Sequence, residues 1–272
     1  MEHRYIKDNI NIFAPSITPD LIRGLSLGKV TERYGTAGLY TRITETLKDT
    51  GLGDSELIQS SLQFGLSLHL DDLRTNGNYV DHIMRVALHT IETLGVKDEN
   101  IITASLLHDV FEMHLLDLIL ALTGEKVAEL TLARQVGHQA LSQFTNLKVA
   151  DIVSVVTNPV TNTDEDKITV YQQHVMDLIR HDPAARIVKL GDFIDNAVGN
   201  HATRGKLQQK LDIKYGPLYN IHKDGLYLPD SLVPESNRLD TAKLLDIGRA
   251  RSVGRIATQG TSGNRSSVLI AK

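Results

Sequence analysis

The stretch YVDHIMRVALHTIETL, from Tyr79 to Leu94, predicts the fold class. Its apolar side chains recur at intervals of three and four, so they lie along one face of a helix. They are Ile83, Val86, Ala87, Ile91 and Leu94, with Thr90 among them. Gly95 follows as a helix stop. Most segments from Ile17 to Ile247 share this spacing, and strand-like alternation is scarce. The sequence therefore predicts an all-α helical bundle.

Composition divides the chain into four parts. We expect an N-terminal helical extension over residues 1–60, a central helical domain over 61–215, and a loop-rich segment with a short helix over 216–247. From Gly248 the Gly, Ser and Arg content rises and the helical spacing fades. Residues 248–272 are therefore expected to form a mobile tail.

Individual helices are expected between these landmarks. One begins near Asp54, an acidic cap candidate, and another covers Glu125 to Gln135. Pro183 separates two consecutive helices, because proline disfavours helical geometry in the residue before it. Asp182 is the candidate cap of the second helix.

Charge and composition exclude several classes of protein. The 272 residues carry a net charge of −4, which argues against a general nucleic-acid binder. No run of about 18 apolar residues occurs and the N-terminus lacks a signal-like core, so we expect a cytoplasmic protein without membrane partners. The absence of Cys excludes disulfides and thiolate zinc sites. Any metal must then be held by imidazole nitrogen and carboxylate oxygen.

Three of the predicted helices carry side chains suited to such a site. They are His82 in the first stretch, His108, Asp109 and Glu112 in LLHDVFEMH (106–114), and Asp192 with Asn196 in KLGDFIDN (189–196). Two His and two Asp suit Mn, Fe, Zn or Mg and leave coordination positions open, which favours catalysis over a closed structural site. Glu112 and Asn196 each lie one helical turn beyond a ligand candidate, on nearly the same face.

Each of these residues also has an ordinary explanation. A histidine on an apolar helix is more often packed and hydrogen-bonded than bound to metal, and a carboxylate often caps a helix or faces solvent. His181-Asp182 is a second His-Asp pair, placed at a helix junction. The coincidence of four ligand candidates within apolar helices favours the metal site, because an unpaired buried carboxylate is costly.

Four blocks follow one another over about half the chain, between Leu62 and Gly199. They are RTNGNYVDH (74–82), SLLHDVFEM (105–113), VADIVSVVTN (149–158) and IVKLGDFIDN (187–196). Together they resemble the HD superfamily of metal-dependent phosphohydrolases, in particular the hydrolase domain of the RelA/SpoT alarmone enzymes and the small alarmone hydrolases. The resemblance implies that residues 61–215 form an HD hydrolase domain.

The resemblance also implies roles for individual residues. The metal ligands would be His82, His108, Asp109 and Asp192, with Mn²⁺ as the expected ion. Arg74 would contact the nucleotide, and Asn196 would lie beside the ribose or the attacking water. The family removes the 3'-pyrophosphate of guanosine tetra- or pentaphosphate by means of a metal-activated water. Glu112 would assist that water.

The chain departs from the family pattern in three places. Met113 stands where the family has a second carboxylate, and methionine cannot do acid–base chemistry, so Glu112 acts alone or His114 replaces it. Thr75 and Phe193 stand where cationic partners for phosphate are expected. Lys189, one helical turn before Phe193, is the candidate phosphate contact, while Arg204 and Lys206 are more simply explained as surface charges. An insertion of about residues 115–139 is expected to reshape the pocket or form a contact in a homo-oligomer.

Three hypotheses remain open from the sequence. The first is hydrolysis of a guanosine polyphosphate, and the second is hydrolysis of another nucleotide in an altered pocket. The third is a degenerate HD domain that binds a nucleotide without turnover, which the Met113 substitution favours.

Overall fold

The chain folds almost entirely into helices in the computed structural model, which confirms the predicted all-α class. The structure describes residues 17–75, 77–161, 164–199 and 205–263, with the backbone alone for 164–166 and 256–263. The helices are α1 (Pro19–Ile22), α2 (Leu27–Asp49), α3 (Glu56–Leu68), α4 (Tyr79–Leu88), α5 (Glu99–Leu107), α6 (Val110–Met113), α7 (Leu115–Thr123), α8 (Leu130–Phe144), α9 (Leu147–Val156), α10 (Asp164–His181), α11 (Pro183–Phe193), α12 (Gly205–Tyr215), α13 (Leu218–Gly225) and α14 (Glu235–Gly263).

Short irregular elements complete the described part of the chain. Two strands, β1 (Leu73–Arg74) and β2 (Gly77–Asn78), pair antiparallel just before α4. Two π-helical turns, His89–Thr93 and Ile194–Val198, extend α4 and α11. Among the described helices, none combines the length and the apolar character that a membrane crossing requires.

Helix boundaries confirm some expectations and correct others. Asp182 caps α11 by accepting a hydrogen bond from the Ala185 amide at 2.8 Å, as predicted. The cap of α3 is Ser55 rather than Asp54. The helix expected over 125–135 is wrong in its bounds, because α8 runs from Leu130 to Phe144 and its buried residues continue to Leu141.

One hydrophobic core runs through the helices, from Ile22 to Leu245. The N-terminal extension contributes Val30, Leu39 and Ile43 of α2, all fully buried. The insertion contributes the buried side chains Leu118, Ile119 and Ala133, and its outer face exposes Leu116, Leu120, Leu130 and Leu132. The extension and the insertion therefore share the core of the central helices.

The C-terminal segment differs from the expected mobile tail. Helix α14 continues past Gly248, Ser252 is buried, and Arg255 makes an ion pair with Asp212 at 2.7 Å. A Cβ atom at Gly248 would lie 2.7 Å from the Tyr219 ring, so the helix packs closely there. The prediction is wrong for residues 248–255, because small residues rather than large apolar ones make this contact. Residues 264–272 of the expected tail lie outside the described residues.

A close helix contact positions the His108-Asp109 pair. Gly65 of α3 faces the carbonyl oxygen of Leu106 in α5, and a Cβ atom at this glycine would lie 2.8 Å from that oxygen. The absence of a side chain therefore lets α3 approach the last turn of α5. The pair follows directly at the end of that helix.

Candidate metal centre

The four ligand candidates converge on one buried centre. The Nε2 atom of His82 lies 3.4 Å from Asp192 Oδ1 and 3.6 Å from Asp109 Oδ2. The Nε2 atom of His108 lies 3.0 Å from Asp109 Oδ2 and 3.8 Å from Asp192 Oδ1. All four residues are buried. The cluster of His82, His108 and Asp109 can hold a metal ion, and Asp192 offers a fourth ligand beside it.

An interruption between two helices lets His108 and Asp109, which are adjacent in sequence, face the same point. Helix α5 ends at Leu107, and α6 begins at Val110. His108 and Asp109 lie between the two helices, and Asp109 has φ of −99° and ψ of −2°, at the edge of the right-handed helical region. On a continuous helix, neighbouring side chains diverge by about 100°. The interruption removes this divergence, so the side chains of His108 and Asp109 both reach the centre.

Hydrogen bonds hold both imidazole rings with Nε2 toward the centre. The Nδ1–H group of His108 donates to the carbonyl oxygen of Ser105 at 2.9 Å. The Nδ1–H group of His82 donates to Asp195 Oδ2 at 2.7 Å. The Nε2 atom of His108 is buried and makes no hydrogen bond within the protein. Metal-binding histidines are oriented in this way, so the donor set fits a divalent metal ion.

The electrostatic field of the centre favours positive charge. Burial opposes protonation of His108, but the carboxylates of Asp109 and Asp192 outweigh it and raise the pKa of this histidine to about 9. Burial also disfavours the charge of Asp109, yet His108 and His82 hold the pKa of its carboxyl well below the usual range. A buried ionised carboxylate such as that of Asp109 calls for a compensating cation, which a metal ion supplies.

Asp195 supports the centre, and the sequence analysis missed it. Besides the hydrogen bond from His82, it accepts hydrogen bonds from the Nε and Nη2 groups of Arg85 at 2.6 and 3.1 Å. Burial opposes its charge, but the contacts with His82 and Arg85 lower the pKa of Asp195. The sequence offered one signal for it, the second Asp of DFIDN (192–196), which lies three residues after the ligand candidate Asp192. The π-helical turn Ile194–Val198 carries it toward His82.

A chain of hydrogen bonds links the centre to the β1–β2 hairpin. The amide of Asn196 donates to Asp192 Oδ1, and Arg74 donates to the amide oxygen of Asn196. The guanidinium group of Arg74 lies 5.2 Å from the centre of the Tyr79 ring, and the Tyr79 hydroxyl donates to Asp109. The Nη1 atom of Arg74 is buried without a hydrogen bond. Arg74 and Asn196 therefore lie side by side next to the metal ligands.

Glu112 is held at the rim of the centre. Its two carboxylate oxygens accept hydrogen bonds from the backbone and side-chain amides of Asn158 at 2.8 and 2.9 Å. Partial desolvation and the negative charge of Asp109 raise the pKa of Glu112. Met113, where the family has a carboxylate, is 43% exposed. His114 lies in a different cluster, with Asp72 and Asp117, so the structure gives no support to its replacing the missing carboxylate.

Two lysines lie on the side of Asp192. Lys189 is buried, with its Nζ atom 3.6 Å from Asp192 Oδ2. Burial opposes its charge, but the nearby carboxylates, Asp192 first, raise its pKa. Lys214 of α12, which the sequence analysis missed, lies 4.0 Å from the centre of the Tyr171 ring, and the charge of Asp192 also acts on it. No motif marks Lys214, because only the packing of α12 brings it there.

A large cleft opens beside the hairpin and the centre. Its volume is about 1250 Å³, which is ample for a nucleotide. Its lining includes Arg74, Arg85, Asp195, Asn196 and Tyr215. The cleft therefore reaches the residues that adjoin the metal ligands.

Comparison of the chain with protein-family models, with curated proteins and with solved structures found no match.

Proposed function

We propose that this protein is a metal-dependent phosphohydrolase of a nucleotide, with guanosine 3',5'-bis(diphosphate) as the preferred substrate. Its 3'-pyrophosphoryl group is transferred to water, and the ribose 3'-oxygen is the leaving group. One observation carries the proposal. The Nε2 atoms of His82 and His108 each lie 3.0 to 3.8 Å from carboxylate oxygens of Asp109 and Asp192 in a buried cluster, beside an acidic side chain and several cations.

Mn²⁺ is the ion we propose for the centre. Nitrogen and carboxylate oxygen ligands with open positions suit it. When bound, such an ion activates water and offsets the charge of a phosphate group. His82 and His108 would bind this ion through their Nε2 atoms, which face the centre, and Asp109 and Asp192 would bind it through carboxylate oxygens.

Glu112 is proposed to accept the proton of the attacking water. A general base must be held in place and must have a pKa close to the working pH. The two hydrogen bonds from Asn158 hold the Glu112 carboxylate in place, and the raised pKa of Glu112 is closer to neutral pH than the usual value. On this account one oriented carboxylate does the work that the family divides between two.

We propose that polar and cationic side chains on two sides of the metal centre bind different parts of the substrate. Arg74 and Asn196 line the cleft and would contact the nucleoside and its near phosphate. The Nη1 atom of Arg74 lies 3.9 Å from Asp195 Oδ2 and makes no hydrogen bond, so it can donate one to the substrate. Lys189 and Lys214 lie on the Asp192 side and would offset the charge of the pyrophosphate. These two lysines would compensate for Thr75 and Phe193, which replace the cations of the family pattern.

Binding without turnover is the second candidate function. Met113 favours it, because a side chain that neither donates nor accepts protons occupies the position of the second carboxylate. The two candidates agree on the metal and on the nucleotide. They differ in whether Glu112 alone suffices for proton transfer.

Product release with Mn²⁺ tests the proposal. Purified protein is incubated with guanosine tetraphosphate, GTP, ATP and deoxynucleotides, and pyrophosphate and phosphate are measured. We expect pyrophosphate from guanosine tetraphosphate, and at least a hundredfold less of it from Glu112→Gln with bound Mn²⁺ unchanged. Cleavage of another nucleotide alone would reject the substrate. Tight binding of guanosine tetraphosphate without any cleavage would favour the second candidate.

A further inference from the structure

A second cluster of ligand-type side chains lies outside the metal centre. His69 follows the last residue of α3, Asp72 precedes the β1–β2 hairpin, and His114 joins α6 to α7. Their ligand atoms all lie within 4.8 Å of one another. We call His69, Asp72 and His114 the second cluster. Their side-chain hydrogen bonds do not include His82, His108, Asp109 or Asp192.

Two imidazole nitrogens face a single carboxylate oxygen in this cluster. His69 Nδ1 lies 2.8 Å and His114 Nε2 lies 2.7 Å from Asp72 Oδ2. Ligand atoms that lie 2.0 to 2.2 Å from a tetrahedral Zn²⁺ ion are roughly 3.3 to 3.6 Å from each other. Each imidazole–carboxylate pair in the second cluster would therefore have to separate by less than about 1 Å for the ion to fit between them.

The opposite nitrogen of His114 is also engaged. Its Nδ1 atom lies 3.1 Å from Asp117 Oδ2, so Nδ1–H donates to this carboxylate. In a neutral ring, the lone pair of Nε2 then points at Asp72, and two such acceptors repel each other at 2.7 Å. Either a proton or a metal ion must lie between them. A carboxylate that orients the far nitrogen of a metal-binding histidine is a common arrangement.

The geometry points to a second metal site formed by His69, Asp72 and His114, and we propose that it binds a divalent transition metal such as Zn²⁺. Two imidazoles and one carboxylate leave coordination positions open for water. His69 is buried, whereas the side chains of Asp72 and His114 are 24% and 15% exposed, so an ion can enter from the surface.

An ion at this position would join three segments that support the metal centre. These are the end of α3, the start of the hairpin that carries Arg74, and the chain just after Glu112. The His69 ring also stacks on Tyr79 with 4.8 Å between ring centres, and Tyr79 donates to Asp109. The second ion would thus fix the hairpin and Tyr79 relative to the first centre.

Counting bound Zn²⁺ by equilibrium dialysis tests this site. The proteins compared are the wild type, His114→Gln, Asp72→Asn and His108→Gln, with His138→Gln as the matched control. His138 is a histidine that likewise contacts an aspartate, Asp151, at 2.7 Å, but on the exposed surface. We expect two ions in the wild type and in the control, and one in each of the other variants. Zn²⁺ should also raise the melting temperature of His138→Gln, with a smaller rise for His114→Gln.

The counts separate this proposal from the function proposed above. If His114→Gln and Asp72→Asn bind as much Zn²⁺ as the wild type, a proton fills the gap and the second site is rejected. If the wild type binds one ion that His114→Gln removes and His108→Gln retains, the second site stands and the first centre fails. Loss of one ion from His138→Gln would assign the extra ion to the surface and reject the second site.

Discussion

Asp195→Asn tests whether the chain holds His82 ready for a metal ion. The substitution keeps the shape of the side chain and removes its charge. The side chain of Asp195 is only 7% exposed and accepts one hydrogen bond from His82 and two from Arg85, at 2.6 to 3.1 Å. Hydrogen bonds to charged groups contribute about 1.5 to 3 kcal/mol each, and Asn retains some of them in weaker form. We expect the free energy of unfolding to fall by about 2 to 4 kcal/mol.

The same substitution should also weaken metal binding. Loss of a carboxylate that orients a metal-binding histidine typically lowers metal affinity by about 10- to 100-fold. Titration with Mn²⁺, followed by calorimetry, measures the affinity, and urea unfolding measures the stability. Asp246→Asn is the matched control, because Asp246 pairs with Lys223 at 2.6 Å on the surface, where such pairs contribute about 1 kcal/mol or less. An Asp195→Asn variant with unchanged Mn²⁺ affinity would refute the reasoning.

Three further predictions concern acid stability, catalysis and substrate binding. Burial lowers the pKa of His222 to about 3, so the unfolded chain, with a pKa of about 6.5, binds a proton more readily. The contribution of this histidine is complete above about pH 7 and is lost as the pH falls. Urea unfolding should thus show that the wild type loses about 2 kcal/mol more stability between pH 7 and pH 5 than His222→Phe. Glu112→Gln should lower kcat by about 10² to 10⁴ in the pyrophosphate assay, with little change in KM. Lys214→Gln should raise KM for guanosine tetraphosphate by about tenfold or more, since a charged contact contributes about 1.5 kcal/mol.

Controls for these variants lie nearby in the chain. His181→Phe changes an exposed histidine and should leave the pH dependence of stability as in the wild type. Lys210→Gln removes an exposed lysine from the same helix as Lys214 and should leave KM unchanged. An equal effect of Lys210→Gln and Lys214→Gln on KM would remove Lys214 from the site. Equal acid sensitivity of His222→Phe and the wild type would show that His222 is not the group that titrates.

The helices could be predicted because their apolar spacing is local. The stretch predicted from Tyr79 to Leu94 forms helix from Tyr79 to Thr93, including a π-helical turn, and Gly95 follows with φ of 69°. The C-terminal helix could not be predicted in this way, because Gly248 and Ser252 pack through their small size. Apolar periodicity detects large side chains and does not detect close contacts between small ones.

The centre itself could be predicted in part. His82, His108, Asp109 and Asp192 were predictable because their residue types and order match a known pattern, and the structure brings them together. Their supporting residues were not. Asn158 ends one of the four blocks, but nothing in that block indicates its contact with Glu112, and Lys214 comes from a segment that carries no metal motif. The second cluster was missed for the same reason, since its three members belong to separate parts of the chain.

Bound Mn²⁺ in the wild type and in His108→Ala is the measurement that tests the central claim most directly. Both proteins are equilibrated with Mn²⁺, free ion is measured by electron paramagnetic resonance, and folding is checked by circular dichroism. The difference in the number of bound ions between the two proteins gives the occupancy of the metal centre, because any ion at the second cluster is bound by both. We expect the folded variant to bind one ion fewer than the wild type. An equal number of ions in both proteins would contradict the assignment of His82, His108, Asp109 and Asp192 as a metal centre.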